Sequence, residues 1–242
     1  VKNLHHFHKN ELPSIAQTFI NFTVQAARVT SDKAFMREQL RMYLMSIRKS
    51  IFIRNNKIHP GNFYNTVSIA IALNRIGFTK NFISDNEKYL PQKQKKSILA
   101  LCWGILYFKI EKFWDAFYEF EKVHFEKGKL RLTTESIKVR TYFELLDNKK
   151  GAKEEVMDPE MVIKQIKYFG DFIELNGPKD KDTRKAYLNL AIWLKRLMKL
   201  WSNSIFSDEN YQKLMKELEN EQKLAAKKWV EGKLIEIKKR KS

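Results

Sequence analysis

The segment that most constrains the fold is residues 97–123, SILALCWGILYFKIEKFWDAFYEFEKV. It is too apolar for an exposed helix, yet the apolar run 98–110 spans only about 13 residues, well short of the roughly 20 needed to cross a bilayer. The charged pair Glu111 and Lys112 cuts it in the middle. Two helices folded against each other satisfy both facts, with Glu111 and Lys112 in a tight turn. Gly104 and Ala116 are small enough to let the two rods approach, and Tyr107 and Phe120 fill the space around them. Only 8 Gly and 5 Pro punctuate 242 residues, which favours long helices over a sheet that needs a turn every dozen residues or so. With 43% hydrophobic residues, a chain of this size buries roughly 70% of its unfolded surface. The expected class is all-α.

Apolar spacing predicts ten helices along the chain. The first covers 12–29, opened by Pro13, with Ile15, Phe19, Phe22 and Ala26 on its buried face. Ser31 or Asp32 caps a second over 32–53, whose stripe is Met36, Leu40, Tyr43, Leu44, Ile47 and Ile51. After the loop RNNKIHPGN a third runs from Phe63 to Gly77, and a fourth over 79–90 stops at Pro91. The segment 97–123 belongs to a fifth, about 92–110, and a sixth, about 111–126, closed by Gly128. A seventh occupies 131–147, and the polar stretch 147–158 is a loop. Asp158 and Pro159 cap and open an eighth. A ninth covers 181–203, with Tyr187, Leu190, Leu194, Leu197 and Trp201 as its stripe. A last long helix, 207–239, repeats Tyr211, Leu214, Leu218, Ala225 and Trp229 and caps the fold. Residues 1–11 are expected to be flexible. Short connections make neighbouring helices antiparallel, so the chain is a stack of hairpins in a single domain, 1–242.

The formal charge is +18, from 46 Lys and Arg against 28 Asp and Glu. That excess attracts nucleic acid, anionic lipid or an acidic protein without specifying a fold. It is dispersed along the chain, which is the habit of a solvated surface more than of a nucleic-acid footprint. Arg37, Arg41 and Arg48 nevertheless share one face of the second helix, and Lys238, Lys239 and Arg240 cluster at the end of the last. Both groups are candidate polyanion contacts. The single cysteine, Cys102, lies between Leu101 and Trp103 and reads as a buried thiol in a reducing cytoplasm. VKNLHHFHKN lacks the apolar core of a secretory signal. His5 and His8 stand one helical turn apart, but no local acid or thiol completes a metal set. No phosphate loop, zinc-protease helix or serine elbow occurs, so neither an enzyme nor a cofactor is expected.

Gly104, Tyr107, Ala116 and Phe120 fall at the spacings of the roughly 34-residue tetratricopeptide pattern. Together with NFYNTVSIAIALNRIGFTKNFISDNEKYLP, TTESIKVRTYFELL and RKAYLNLAIWLKRLMKL, this hairpin resembles uncharacterised bacterial tetratricopeptide-like helical-repeat proteins over residues 20–235. Thr79 stands where that pattern has Ala, Asn86 replaces a second small residue, and the 147–158 connection is longer than a repeat turn.

The resemblance implies a right-handed α-solenoid whose concave groove receives a peptide or helix of another protein. By frame, that groove is lined by Ile98, Leu101, Ile105, Phe108 and Lys109 from one repeat, and by Ser136, Arg140, Phe143 and Glu144 from the next. The first set is almost wholly apolar, and a large apolar patch is seldom left bare, so filling by the chain's own terminal helices is favoured over an open groove. The expected function is a protein-interaction scaffold. The alternative is a basic helical module that binds nucleic acid or another acidic surface.

Overall fold

The computed structural model describes residues 7–8, 10–30, 32–126, 128–146, 156–203 and 207–241. Among them are eleven α-helices and one two-stranded antiparallel ribbon, so the fold is all-α. No helix among the described residues is long and apolar enough to cross a membrane. Two compact units divide the chain, Val1–His124 and Phe125–Ser242.

In the first unit, α1 (Leu12–Thr30) and α2 (Lys33–Arg48) pack as a hairpin. The buried face of α1 is Ala16, Ile20 and Thr23, whereas Phe19 and Phe22 are exposed, Phe22 to 63%. This corrects the expected face. α1 is apolar on two sides, and the side with the smaller residues admits the close approach of α2. The second helix ends at Arg48 rather than near residue 53. Ser50 turns into the left-handed region at φ 57°, and the Ser46 carbonyl accepts the N–H groups of Ile51 and Phe52 at 2.7 and 3.2 Å. The supposed loop that follows contains β1 (Ile53–Arg54) and β2 (Lys57–Ile58), joined by Asn55 and Asn56 at φ 48° and 57°. Two consecutive left-handed residues are what a two-residue hairpin turn requires, and Asn tolerates them.

α3 (Pro60–Ala72) starts earlier than its apolar stripe suggests, because His59 Nδ1 accepts the Gly61 N–H and Pro60 fits the first turn. It ends at Ala72 and not at Gly77, the chain turning away at Asn74, whose φ is 58°; Gly77 lies in α4 (Ile76–Asn86), which runs into a 3-10 turn, Glu87–Tyr89. α5 (Gln92–Lys109) and α6 (Phe113–Glu121) form the hairpin read from residues 97–123, with Glu111 at φ 60° in the turn. α6 is shorter than expected. The chain after it is drawn back, since Ser97 Oγ both accepts the His124 N–H and donates to the His124 carbonyl at 3.1 Å. α5 packs against α3 and α4 as well as α6.

The turns of these two hairpins are the same motif. Arg75 N–H donates to the Ala70 carbonyl and Asn74 N–H to Ile71; Lys112 N–H donates to Tyr107 and Glu111 N–H to Phe108. Each is the paired bond set of a Schellman cap, with a non-glycine residue in the left-handed position. The second follows the first by 37 residues, from Asn74 to Glu111. In that register Val67 and Ile83 correspond to Gly104 and Phe120, and all four are buried. A Cβ on Gly104 would lie 2.6 Å from the Phe120 ring, so the larger ring is admitted only because the facing residue is glycine. Thr79 and Asn86, the departures from the pattern, bond back to the Arg75 and Phe82 carbonyls at 2.8 and 2.9 Å. Their polar atoms are therefore satisfied inside the helix.

In the second unit, Gly128 (φ 96°) precedes α7 (Lys129–Leu145), which packs on α8 (Pro159–Asn176). Asp158 caps α8 as expected, accepting the Glu160 N–H at 2.9 Å. Residues 147–155 of the expected loop, and 1–6 and 9 of the expected flexible end, lie outside the described residues. α9 (Lys181–Ser202) packs on α8 and on α11 (Lys227–Lys241), and α10 (Asp208–Asn220) packs on α11. The single capping helix expected over 207–239 is thus two helices. The break at 221–226 is fastened to α9: Ala225 N–H donates to the Ala186 carbonyl, Asn189 Nδ2 to the Lys223 carbonyl, and Lys223 pairs with Asp182 at 2.5 Å. These tertiary bonds outweigh the helical propensity of the linker, and Ala226 turns at φ 55°.

Candidate functional site

α2 begins at Asp32, whose carboxylate accepts the Ala34 N–H at 2.7 Å. From there its outer face is fixed by helical spacing: Arg37, Arg41, Leu44 and Arg48 line up one above another. Arg41 reaches Glu38 at 3.6 Å, with both side chains largely in water, a pair that contributes little to stability. The left-handed turn at Ser50 leaves Lys49 at the end of α2. The left-handed turn at Asn74 projects Arg75 from between α3 and α4. Among the described residues, five cations, Arg37, Arg41, Arg48, Lys49 and Arg75, thereby rim one concavity of about 590 Å³, against the single carboxylate Glu38. Its floor is apolar: Leu40 and Met42 are buried, and Leu44 and Met45 are half-buried. Among the described residues, Arg37, Arg48, Lys49 and Arg75 make no ion pair.

The sequence singles out three of these cations. Lys49 and Arg75 escape it because their placement depends on turns, not on helical periodicity; the signal is a basic residue adjoining a left-handed cap. Such a site offers shape, positive charge and apolar contact. Among the described residues that line it there is no nucleophile or acid-base pair. Arg side chains suit it to carboxylate or phosphate, which they bind in a bidentate fork.

The expected groove positions fare differently. Ile98 and Leu101 are wholly buried and belong to the core of the first unit, so they line no open groove. Ile105 and Phe108 are half-buried, with Phe108 edge-on to Phe113 at 5.6 Å, and Lys109 is exposed. In the second unit Ser136 and Phe143 are buried. The Phe143 ring meets Trp229 of α11 edge-on at 5.7 Å, and Arg140 lies over the Trp229 ring at 6.0 Å while its Nε donates to the Ser136 carbonyl. Glu144 accepts from Trp229 Nε1 at 2.6 Å and from Lys233 Nζ at 2.5 Å. The chain's own C-terminal helix therefore covers Arg140, Phe143 and Glu144.

Burial pushes the Glu144 carboxyl above its ordinary range, against the pull of Lys233. Burial alone would lower Lys233, but Glu144 and Glu236 hold its ammonium above its ordinary value. Lys238 pairs with Asp208 of α10, while Lys239 and Arg240 are exposed. Cys102 is wholly buried, and its desolvation pushes the thiol far up. His5 and His6 lie outside the described residues, among which no three His, Cys, Asp or Glu side chains gather to hold a metal ion. A second concavity of about 410 Å³, between α9 and α10, is crossed by the Arg196–Glu217 pair at 2.8 Å. The chain matches no protein-family model, no curated protein and no solved structure.

Proposed function

We propose that the chain is a non-enzymatic protein-interaction scaffold, a tetratricopeptide-like right-handed α-solenoid of the kind found in bacteria and working in the cytoplasm. The observation that carries this reading is the repetition inside the first unit. Two helical hairpins share one turn geometry, and the first helix of the second packs on both helices of the first. Stacked hairpins of this kind bury a continuous core and present extended helical faces, which suits them to holding other chains.

A second reading, a basic module for nucleic acid or another polyanion, is favoured by the cation-rimmed cavity of α2. Salt separates the two. A scaffold recovers a defined protein after nuclease treatment, and the complex re-forms from purified components at physiological ionic strength. Submicromolar binding to generic RNA or DNA that weakens steeply with salt, with no protein recovered, refutes the scaffold reading in favour of the second.

A further inference from the structure

The α2 cavity combines two properties that a phosphate backbone cannot use together. Its rim is cationic on several sides, and its floor is aliphatic: Leu40, Met42, Leu44 and Met45. A single-stranded nucleic acid that meets a basic groove gains much of its remaining affinity by stacking bases on aromatic rings. Among the described residues, those lining this cavity include none. Methionine and leucine instead accommodate aliphatic side chains of varied shape, the thioether chain adapting most readily. Arg37 and Arg48 stand at the two ends of the floor, with Arg41 between them on the same helix. Arg37 and Arg48 are separated along α2 by about 16 Å at the helical rise of 1.5 Å per residue, which is roughly three turns of a partner helix. Arg75 and Lys49 enter from turns at the side.

Resting on the scaffold reading, we infer that this cavity docks an acidic amphipathic helix of a partner protein, about three turns long. Its apolar stripe lies on the Leu and Met floor, and its flanking Asp and Glu carboxylates meet the arginine rim. Charge complementarity sets the choice of partner: the rim carries five cations and one carboxylate, so a basic or neutral amphipathic helix leaves guanidinium groups opposed or unpaired.

Fluorescence anisotropy of the full chain, at about physiological salt, tests this with three labelled probes. They are a Glu/Leu peptide patterned to place leucine on one helical face, a scrambled peptide of identical composition, and a single-stranded RNA of similar charge. The patterned peptide is expected to bind at least about tenfold more tightly than either other probe. Arg37→Glu combined with Arg48→Glu reverses two exposed cations and is expected to weaken the patterned peptide by about tenfold or more. Lys195→Glu with Lys199→Glu, an equal charge change on α9, leaves it unchanged. Far-UV circular dichroism confirms that both variants keep their helices.

Equal binding of patterned and scrambled peptides overturns the inference, because charge alone would then suffice. So does an equal loss from the α9 variant. If a purified partner protein still binds the Arg37→Glu/Arg48→Glu variant undiminished, the docking site is elsewhere and the scaffold reading survives. If the RNA binds tightest and no protein is recovered, both readings fall.

Discussion

Gly104→Ala tests the close contact on which the α5–α6 hairpin depends. The new Cβ would sit 2.6 Å from Cε1 of Phe120 and 2.9 Å from two further ring carbons. Carbon pairs prefer about 3.5–4.0 Å, so the overlap is roughly 1 Å. Phe120 is only 1% exposed, so its ring cannot swing into solvent without giving up its burial. Overpacking of this kind costs about 1–3 kcal/mol. Replacing glycine by alanine inside a helix offsets about 1 kcal/mol of that. The net expectation is a loss of about 0–2 kcal/mol, from a substitution that helix propensity alone would make stabilising. Gly232→Ala in α11 supplies the control, since a Cβ there meets nothing within 4 Å, and it is expected to stabilise by about 0.5–1 kcal/mol. Urea denaturation followed by circular dichroism gives both values, and hydrogen exchange of the α5 and α6 amides localises the first. Adding Phe120→Ile to Gly104→Ala, which approximates the Val67 and Ile83 pairing of the preceding hairpin, should remove the clash and give a favourable coupling energy. The reasoning is refuted if Gly104→Ala stabilises the protein as much as Gly232→Ala does, because the Phe120 ring would then impose no cost.

Other outcomes follow from the same structure. Cys102 is wholly buried with its thiol pushed up, so alkylation by iodoacetamide should be slow in the native protein and fast in denaturant; rapid native labelling would place it at the surface. Lys233→Met strands the Glu144 carboxylate in a buried setting and should cost more than Glu144→Gln, on the order of 3–5 kcal/mol by urea denaturation. The raised pKa of Glu144 means that the native state holds this proton more tightly than the unfolded chain. Its stabilising contribution is full below the ordinary carboxylate pKa and is lost as pH rises through the raised value. Glu144→Gln should therefore gain stability relative to the parent as pH rises above the ordinary carboxylate range, and a constant difference in urea midpoint would contradict this. Glu111→Gly relieves a left-handed non-glycine residue at the α5–α6 turn and should raise stability by about 1 kcal/mol; a loss would mean the Glu111 side chain holds the turn.

The helical class and the hairpin at residues 97–123 were legible because local features dictate them: small residues at Gly104 and Ala116, and a charged turn between two apolar runs. Asp158 with Pro159 likewise announces α8 whatever surrounds it. Other elements answer to distant groups. Phe19 and Phe22 make as good an apolar stripe as Ala16, Ile20 and Thr23, and only the approach of α2 decides between them. The heptad spacing of Leu218, Ala225 and Trp229 runs unbroken through a linker that bonds to α9 have unwound. The ribbon turn at Asn55 and Asn56 did carry a local signal, since consecutive asparagines are among the few residues that accept two left-handed conformations. Of the candidate site, the arginine face of α2 could be read from its period. Lys49 and Arg75 could not, because the chain reverses before delivering them.

The contact between α7 and α11 also sets a timetable for synthesis. Trp229 and Lys233 follow Glu144 by 85 and 89 positions, so at about 5–20 residues per second the nascent chain waits several seconds between making Phe143 and Glu144 and making the helix that shelters them. Throughout that interval an aromatic ring and a carboxylate destined for the interior face the ribosome's surroundings. The second unit can reach its final packing only once residues 227–241 have been made, and a chain stopped before α11 emerges leaves the Phe143 and Glu144 face of α7 uncovered for chaperone or protease to find.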